Sequence, residues 1–372
     1  MAAILLLAVY VVNLGYGFEG SLKRLGDYRF VSRLFWGDYG LGTPGTEVGN
    51  RFSGTCLGAL PVPLPENYLR GIDRQRLDFE ESRWSYLGGQ WRFGGWWYYY
   101  LYALAVKEPL GTWLIAILAV LVSILCRGYS ARWRDELVVL APMLTILVLV
   151  SSQTGVQYLR YALPMFPFAF IWVSKLARAF EFGWGQKGRR GEGRGAGSPH
   201  PDPLPEGEGR ALHRMIACVA AAALLWSVGS SLYYYPHSLS YFNEVVGGPT
   251  GGHYHLGDSN IDWGQDLLYL KKWYDEHPEA RPLFLALFCP LVDPQAAGID
   301  SRSPPNGALE PGWYGVSVNR LHDRSREYEH FLRLKPVAMV GYTVYIYHIT
   351  LEHANRVRRD LGLPELRGKD EG

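Results

Sequence analysis

The feature that most constrains this chain is the separation of long, nearly uncharged apolar runs from segments as polar as those of a soluble protein. Four runs reach or approach the roughly 18 apolar residues that cross a bilayer as a helix. They occupy residues 109–126, 137–152, 162–175 and 215–234. Buried core helices of a soluble protein are the alternative, but four such segments rarely share one globular domain. The pattern predicts an α-helical transmembrane bundle of about five spans, counting a shorter opening run.

The opening run, 1–17, has two interpretations. A secretory signal would begin with basic residues and end at a small-residue cleavage site, and the run has neither. Its apolar stretch is also short for a full crossing. We therefore interpret it as a partial transmembrane span.

The positions of the basic residues predict how the spans are oriented. Arginines follow the run 109–126, and lysines and arginines crowd the connection 178–214. Short connections rich in these residues stay cytoplasmic, whereas long loops cross regardless of charge. The loop 18–95 and the chain after residue 234 are therefore expected outside the inner (cytoplasmic) membrane. The net charge of +2, with no basic patch, gives no reason to expect nucleic acid as a partner.

Composition divides the 372 residues further. Gly, Pro, Arg and Glu dominate residues 183–210, a composition that cannot bury apolar surface and predicts disorder. The predicted order is a partial span at 1–17, an extracytoplasmic loop at 18–95, transmembrane helices with an interfacial aromatic helix at 96–182, a disordered cytoplasmic linker at 183–214, a span at 215–234 and an extracytoplasmic α/β domain at 235–372.

The C-terminal α/β domain is predicted from alternating helical and strand-like patterns. Helices are expected at 263–277 and 326–334, and strands at 282–289, 313–318 and 339–349.

An aromatic cluster stands immediately before the first long apolar run. Two tryptophans and four tyrosines lie between residues 96 and 102, and aromatic rings of this kind settle at the level of lipid headgroups. We expect an interfacial helix here, bent into the following span by Pro109 and Gly111. A plain aromatic belt that only anchors the chain is the alternative.

The polar run GHYHLGDSNIDWGQD invites a metal-binding interpretation. Asp258, Asn260 and Asp262 have the spacing of the first ligands of a calcium loop. The glycine arrives one position late at Gly264, however, and Tyr269 stands where a bidentate glutamate belongs. We therefore expect no EF-hand, no metal and no cofactor.

Two other interpretations of this run stay open. Asp258 and Asn260 are suited to cap a helix beginning near Trp263, with Asp262 satisfying its first amides. The second interpretation, after this structural role, is a site for a sugar or an acceptor, with Trp263 as a stacking face and polar side chains, His255 among them, as hydrogen-bond partners.

The cysteines leave one question open. Two of the four cysteines fall in apolar runs, and Cys56 and Cys289 fall in the two segments expected outside. These two can pair as a disulfide or remain small buried hydrophobic residues.

Six segments, in this order, resemble the membrane glycosyltransferases related to protein O-mannosyltransferases and to the lipid A aminoarabinose transferase. They are LPENYLRGIDRQ, SYLGGQWRFGGWWYYYLYALAVKEPLGTWL, YLRYALPMFPFAF, YPHSLSYFNEVVGGPTGGHYHLGDSNIDWGQDLLYLKKW, PGWYGVSV and KPVAMVGYTVYIY. The resemblance implies a GT-C fold that passes a sugar from a polyprenyl-phosphate donor to an extracytoplasmic protein or lipid acceptor. The implied partners are thus a polyprenyl-phosphate-linked sugar and the lipid bilayer.

The resemblance also implies cations that hold the carrier phosphate. Lys107 lies in the KEP segment and Arg160 in the RYALP segment, each at the expected outer start of a span. Arg70, in the NYLRG segment, is a third candidate. Simple snorkelling of these side chains to the interface is the alternative.

One departure from the family concerns the catalytic carboxylate. Members carry adjacent Asp and Glu residues in the first outer loop, and no such pair follows the opening run here. We therefore expect the chain to be the C-terminal portion of such a transferase, with its catalytic residues unknown. A non-catalytic membrane module that binds a lipid-linked sugar or scaffolds a complex is the alternative.

Overall fold

The computed structural model describes residues 2–37, 49–153, 155, 157–184, 208–288, 293–305, 309–360 and 362–367. The chain forms two compact units. The first unit comprises Met1–Ser85, Arg92–Trp97 and Ser151–Gln157, and the second comprises Tyr86–Trp91, Tyr98–Val150 and Tyr158–Gly372.

The first unit is built from short helices around a small aromatic core. Its helices are α1 (Ala2–Gly15), α2 (Arg33–Trp36) and α3 (Glu66–Glu80), with 3-10 helices at Leu25–Asp27 and Leu57–Ala59. The rings of Tyr28 and Phe30 stack with centroids 5.7 Å apart. The buried Asp73 carboxylate of α3 accepts the amides of Val31 (2.7 Å) and Ser32 (3.0 Å), which fixes the chain entering α2.

Short strands β1 (Trp84–Leu87) and β2 (Gln90–Phe93) form a two-stranded sheet whose residues are divided between the units. The second unit then continues with helices α4 (Tyr99–Lys107), α5 (Leu110–Leu125), α6 (Trp133–Ser151), α7 (Phe166–Val173), α8 (Arg178–Trp184) and α9 (Glu208–Tyr233). Its 3-10 helices in this part are Arg127–Tyr129, Leu159–Met165 and Ser174–Ala177.

Helices α5 and α9 pack antiparallel along much of their length. Thr112, at the start of α5, contacts Ser227 late in α9 (Oγ1 to Oγ, 3.2 Å). Tyr129, just beyond α5, hydrogen-bonds His213 near the start of α9 (2.8 Å). Between these points the helices share a core of small and branched residues, among them Ala119.

The predicted five-span bundle is wrong. Within the residues that the structure describes, one helical stretch is long and apolar enough to cross a membrane, Gly209–Tyr233 of α9. The number becomes two if the bent pair of α4 and α5 is counted as one span. With the five-stranded sheet described below, the second unit is a mixed helical and β structure.

Each of the other predicted spans falls short for a physical reason. At 1.5 Å per residue the 14-residue α1 is about 21 Å long, against a hydrocarbon core of about 30 Å. Helix α6 has 19 residues, but its first turn carries three charged side chains. The run 162–175 contains Pro164 and Pro167, and proline favours helix starts over interiors, so a 3-10 helix and the eight-residue α7 replace one long helix.

The predicted bend at the aromatic segment is confirmed. Helices α4 and α5 meet at an angle of 113° across the break at Glu108 and Pro109. Proline has no amide hydrogen to continue the helical hydrogen bonds, so α5 starts afresh in a new direction. Of the predicted linker 183–214, residues 183 and 184 end α8, residues 185–207 lie outside the described residues, and residues 208–214 begin α9.

The C-terminal part of the second unit holds a five-stranded sheet with the strand order β4-β3-β5-β7-β6. Strands β4, β3 and β5 are parallel, and β7 and β6 are antiparallel to their neighbours. The elements are α10 (Gly248–Gly252), α11 (Leu267–Glu276), β3 (Leu283–Ala286), β4 (Ser301–Arg302), β5 (Gly312–Ser317), α12 (Val318–Leu321), β6 (Ala338–Val340), β7 (Val344–Ile349) and α13 (Leu351–Asp360), with 3-10 helices at Ser238–Ser240, Glu244–Val246, Asp258–Asn260, Pro278–Ala280 and Glu329–Arg333.

Most of the strand predictions are confirmed here. The runs 282–289 and 313–318 contain β3 and most of β5, and the run 339–349 contains most of the hairpin of β6 and β7. The helix predicted at 263–277 begins later, at Leu267, and the helix predicted at 326–334 is only a 3-10 helix. Leu270 and Tyr274 of α11 pack against the sheet in one apolar core.

Replacing Gly111 by alanine should destabilise the pairing of α5 and α9. A Cβ at this position would overlap the carbonyl oxygen of Ala223 and the hydroxyl of Ser227. Overpacking of this kind costs about 1–3 kcal/mol. Thermal unfolding in detergent would measure it, with Gly229→Ala as the matched control, because a Cβ at Gly229 of α9 meets no atom within 4 Å. Equal melting temperatures for the two variants would contradict the close helix approach.

Candidate functional site

The polar run predicted as a site forms a tight loop in the second unit. Asp258 has a positive φ of 57° and begins a 3-10 turn. Its carboxylate accepts the Ser259 amide at 2.6 Å and the Tyr158 hydroxyl at 3.2 Å. We call residues 257–262 the DSN loop.

Asn319 of α12 holds the DSN loop from the sheet side. Its Oδ1 accepts the amide of Asp258 at 2.8 Å, and its Nδ2 donates to the carbonyls of Asp258 and Asp262, both at 3.2 Å. Ser317, the N-cap of α12, accepts the Asn319 amide and donates its hydroxyl to the Asp262 carboxylate. The end of β5 therefore positions the loop.

Asn260 ties the same loop to the helical part of the second unit. Its Oδ1 accepts the amide of Leu159 at 2.9 Å, and its Nδ2 donates to the hydroxyl of Tyr99 at 2.9 Å. The prediction that Asp258 and Asn260 cap the next helix is wrong, because α11 begins only at Leu267. Asp262 accepts the amide of Gly264 at 2.9 Å, still ahead of that helix.

Burial raises the pKa of the acids in and beside this loop. Loss of solvent is the largest cause for Asp258, and the nearby Arg160 guanidinium partly offsets it. Burial likewise raises the pKa of Asp262, against the hydrogen bond from Ser317. The pKa of Asp266 rises to about 6, again through burial. Three carboxyl groups of raised pKa in one segment mark it as a candidate site.

Arg160 is the predicted cation that the structure brings to the DSN loop. Its Nη1 lies 3.4 Å from the Ser259 hydroxyl, and its guanidinium lies over the ring of Tyr158 at 4.3 Å. The side chain is exposed, and no carboxylate of a described residue lies within 4.0 Å of it. It is therefore available to an anionic ligand.

Lys107 occupies a different position, at the end of α4. Its ammonium donates to the carbonyls of Leu239 (2.6 Å) and Tyr241 (2.9 Å) and lies 4.2 Å from the Phe242 ring centre. An ammonium has three donors, so one remains for a ligand.

Arg70 belongs to the first unit. It forms an ion pair with Glu66 of the same helix at 2.8 Å. Nothing in this pairing groups it with the other two cations.

The two remaining predicted residues stand at the margin of the DSN loop. His255 accepts or donates a hydrogen bond with the Tyr102 hydroxyl of α4 (2.5 Å), and burial lowers the pKa of the imidazole. The Trp263 ring is 43% exposed and lies 6.3 Å from the Phe288 ring. Its open face suits stacking on a sugar ring.

Sequence reasoning missed a pocket of histidine and aromatic side chains. A cavity of about 70 Å³ is lined by Tyr86, Trp91, His253, Asp258 and His322, among others. The imidazoles meet directly, with Nδ1 of His253 2.6 Å from Nε2 of His322. Burial lowers the pKa of His253 to about 3 and that of His322 to about 4, so both are neutral at pH 7. Among the described residues no three His, Cys, Asp or Glu side chains group as a metal site requires.

A second missed feature is an apolar cleft of about 1020 Å³ in the helical part of the second unit. Side chains from α5, α7 and α9 line it, and nearly all are apolar. Its volume is at the upper end for small-molecule sites. Glu108, Thr112 and Ser227 stand together at the end of the cleft near the start of α5. Glu108 follows Lys107 in sequence, but the Lys107 ammonium is bonded to the carbonyls of Leu239 and Tyr241, which do not line the cleft.

Comparison with known proteins adds no identification. No family model, no curated protein and no solved structure matches the chain. The resemblance to lipid-carrier glycosyltransferases therefore depends on the ordered motifs alone.

Proposed function

We propose that the second unit binds a polyprenyl-phosphate-linked sugar and transfers the sugar to an extracytoplasmic acceptor. The observation that carries the proposal is the apolar cleft, which begins at Glu108, the residue after Lys107 in the chain. A polyprenyl tail needs a long apolar groove, and its phosphate needs a cation at one end of that groove. The motif resemblance supports this choice of ligand over an ordinary lipid chain.

The exposed surfaces of the helices support a place in the inner membrane. Helix α6 buries none of its residues, and Ile124 and Leu125 at the end of α5 are both 74% exposed. Surface helices of soluble proteins bury an apolar stripe against the core, and α6 has no buried residue. Lipid would cover these surfaces.

The charges at the two ends of the helices support the proposed orientation. Lys107 precedes α5, and Arg160 precedes α7, so both lie at the end where these helices start. Arg132 and Arg178 lie at the opposite end, where Arg178 donates to the carbonyl of Gly128 (3.0 Å). Short basic connections face the cytoplasm, and in the proposed orientation the carrier phosphate is near the outer surface.

The DSN loop would receive the sugar or the acceptor. Arg160 connects the two parts of the site, because it belongs to the segment before α7 and contacts Ser259 in the loop. Met165, five residues later, lines the cleft. A carrier with its tail in the cleft and its phosphate at Arg160 would present its sugar to the loop and the exposed Trp263 ring.

A binding module without catalysis is the second candidate, and one observation favours it. Acids of the first unit that are candidates for the carboxylate implied by the resemblance are engaged in structural bonds. Asp73 holds two backbone amides, Glu80 accepts the amides of Arg33 and Leu34, and Asp78 pairs with Arg83.

Filling the cleft should abolish carrier binding. Ala221 lines the cleft, whereas its neighbour Ala222 is exposed and does not. We expect Ala221→Trp to reduce photo-crosslinking of a polyprenyl-phosphate probe at least about tenfold, the effect of about 1.4 kcal/mol. Ala222→Trp, the same change one residue away on α9, should leave labelling unchanged. Equal labelling of both variants, or full competition by excess phospholipid, would contradict the proposal.

A second arm of this experiment tests the phosphate assignment. Lys107→Ala combined with Arg160→Ala should weaken labelling, because the carrier phosphate loses both cations. Arg132→Ala combined with Arg134→Ala, two basic residues at the other helix end, should not. Labelling that survives loss of Lys107 and Arg160 would remove the phosphate site while leaving the tail site in place.

A further inference from the structure

A histidine and a buried carboxylate outside the predicted site form a hydrogen-bonded pair. His237 Nδ1 lies 3.1 Å from Oδ1 of Asp266, and the Asp266 side chain is 1% exposed. The other carboxylate oxygen accepts the Thr343 hydroxyl at 2.7 Å. Both carboxylate oxygens are thus engaged, and the imidazole is held at a fixed orientation.

The turn between β6 and β7 is shaped around this carboxylate. Gly341 has a φ of 59°, and a Cβ there would overlap the Asp266 carboxyl group. Tyr342 follows with a φ of 70°, a conformation that costs energy for a side chain other than glycine. The turn brings the Tyr342 ring within 5.4 Å of the imidazole centre and Thr343 onto the carboxylate.

The hydrogen bond to Asp266 determines which imidazole nitrogen of His237 carries the proton. An ionised carboxylate only accepts hydrogen bonds, so Nδ1 must carry the proton. Nε2 then holds a lone pair, and no other described residue forms a hydrogen bond with this imidazole. The ring keeps 18% of its side-chain surface exposed, beside the partly exposed ring of Tyr269 at 4.7 Å.

The pair stands close to the proposed carrier site along the chain and in space. Lys107 donates to the carbonyl of Leu239, two residues after His237. Ser240 of the same segment donates to the carbonyl of Ile261 in the DSN loop at 3.2 Å. The segment 237–241 therefore contacts both Lys107 and the DSN loop.

We propose that Nε2 of His237 accepts the proton of the acceptor hydroxyl during sugar transfer, with Asp266 as the positioning residue. This inference rests on the proposed function. As the acceptor oxygen forms its bond to the anomeric carbon, the bond from that carbon to the phosphate oxygen breaks. Its electron pair leaves with the carrier phosphate, and the acceptor proton moves to His237. The acceptor is an alcohol, carried by a protein or a lipid.

A chemical test measures the reactivity of the His237 imidazole and needs no sugar-transfer assay. The full chain in detergent would be treated with diethyl pyrocarbonate, and modification followed residue by residue by mass spectrometry. We expect His237 to react at least as fast as the more exposed His348, and Asp266→Asn to slow it several-fold, because an asparagine amide can donate to Nδ1 and select the other tautomer. Asp275→Asn, an exposed aspartate on α11, is the matched control.

The kinetic test uses the same variants with a polyprenyl-phosphate-linked sugar and an alcohol acceptor. His237→Gln should lower kcat by roughly 10²–10⁴-fold, with crosslinking of the carrier probe unchanged. His353→Gln on α13 should have no effect. Thr343→Val offers a milder loss of orientation should Asp266→Asn fail to fold.

The outcomes separate the two proposals. Slow modification of His237, insensitivity to Asp266→Asn, or normal turnover of His237→Gln overturns the proton-acceptor role. If the wild-type chain binds no carrier while His237 shows Asp266-dependent reactivity, the proposed function fails and the reactive pair is upheld.

Discussion

Lowering the pH from 7.5 to 5 should reduce the free energy of unfolding by about 4 kcal/mol through His253 and His322 alone. Burial holds their pKa values at about 3 and about 4 in the folded chain, against about 6.5 when unfolded. Between these pKa values the two histidines are protonated in the unfolded state but neutral in the folded state. The stabilising contribution of the two neutral histidines is fully present above pH 6.5 and is lost as the pH falls from there towards 4. The loss is about 2 kcal/mol per histidine by pH 5.

Three buried acids oppose this loss. The pKa of Asp266 is raised to about 6, so the folded state gains a proton, and with it stability, as the pH falls through that value. Asp258 and Asp262, whose pKa values burial also raises, act in the same direction. A variant is therefore needed to isolate the histidines.

The variant His322→Phe removes one of the two buried histidines and so measures its share of the pH dependence. Its unfolding free energy should change between pH 7.5 and 5 by about 2 kcal/mol less than that of the wild type. Reversible denaturant unfolding in detergent at several pH values would measure this difference. His353→Gln should keep the wild-type dependence. The same pH dependence in the wild type and His322→Phe would show that the buried pair is not held neutral.

The sequence predicted those elements whose pattern is local. Strands β5 and β7 carry β-branched and aromatic residues, and the bend before α5 follows from Pro109. These features depend on neighbours in the chain, which a sequence displays directly.

The spans were over-predicted because apolar composition does not specify helix continuity. The run 162–175 is apolar throughout most of its length, yet Pro164 and Pro167 divide it. Helix α6 is long enough, but charges in its first turn shorten its apolar part. Hydropathy registers the charges of α6, but not the breaks in helix continuity at the two prolines.

The site was predicted in part for a related reason. The DSN loop was recognisable because its polar residues are adjacent in sequence. Asn319 and Ser317, which hold it, lie more than fifty residues away and carry no local signal. The partnership of His237 with Asp266 spans 29 positions and depends on the turn at Gly341. Such contacts are products of the tertiary fold.

Replacing Asn319 by leucine should strongly destabilise the DSN loop. The side chain is buried and makes one accepted and two donated bonds to the loop backbone. Leucine has a similar size but removes the side-chain partner of the Asp258 amide and of the Asp262 carbonyl, at about 1–3 kcal/mol for each buried group, whereas the Asp258 carbonyl keeps the amides of Ile261 and Asp262. These costs are not additive, so we expect a total of about 3 kcal/mol.

Hydrogen exchange would locate this effect. The amides of Asp258 and Asp262, bonded to Asn319 and to the Asp258 carbonyl, should exchange about 100-fold faster in Asn319→Leu. Asn355→Leu is the matched control, because Asn355 of α13 bonds only the terminal segment through Leu366. If the DSN loop organises the sugar site, carrier-probe labelling should persist while labelling near Trp263 by a sugar-borne photoreactive group is lost. Unchanged exchange at both amides would mean that backbone bonds within the loop, rather than α12, hold it in place.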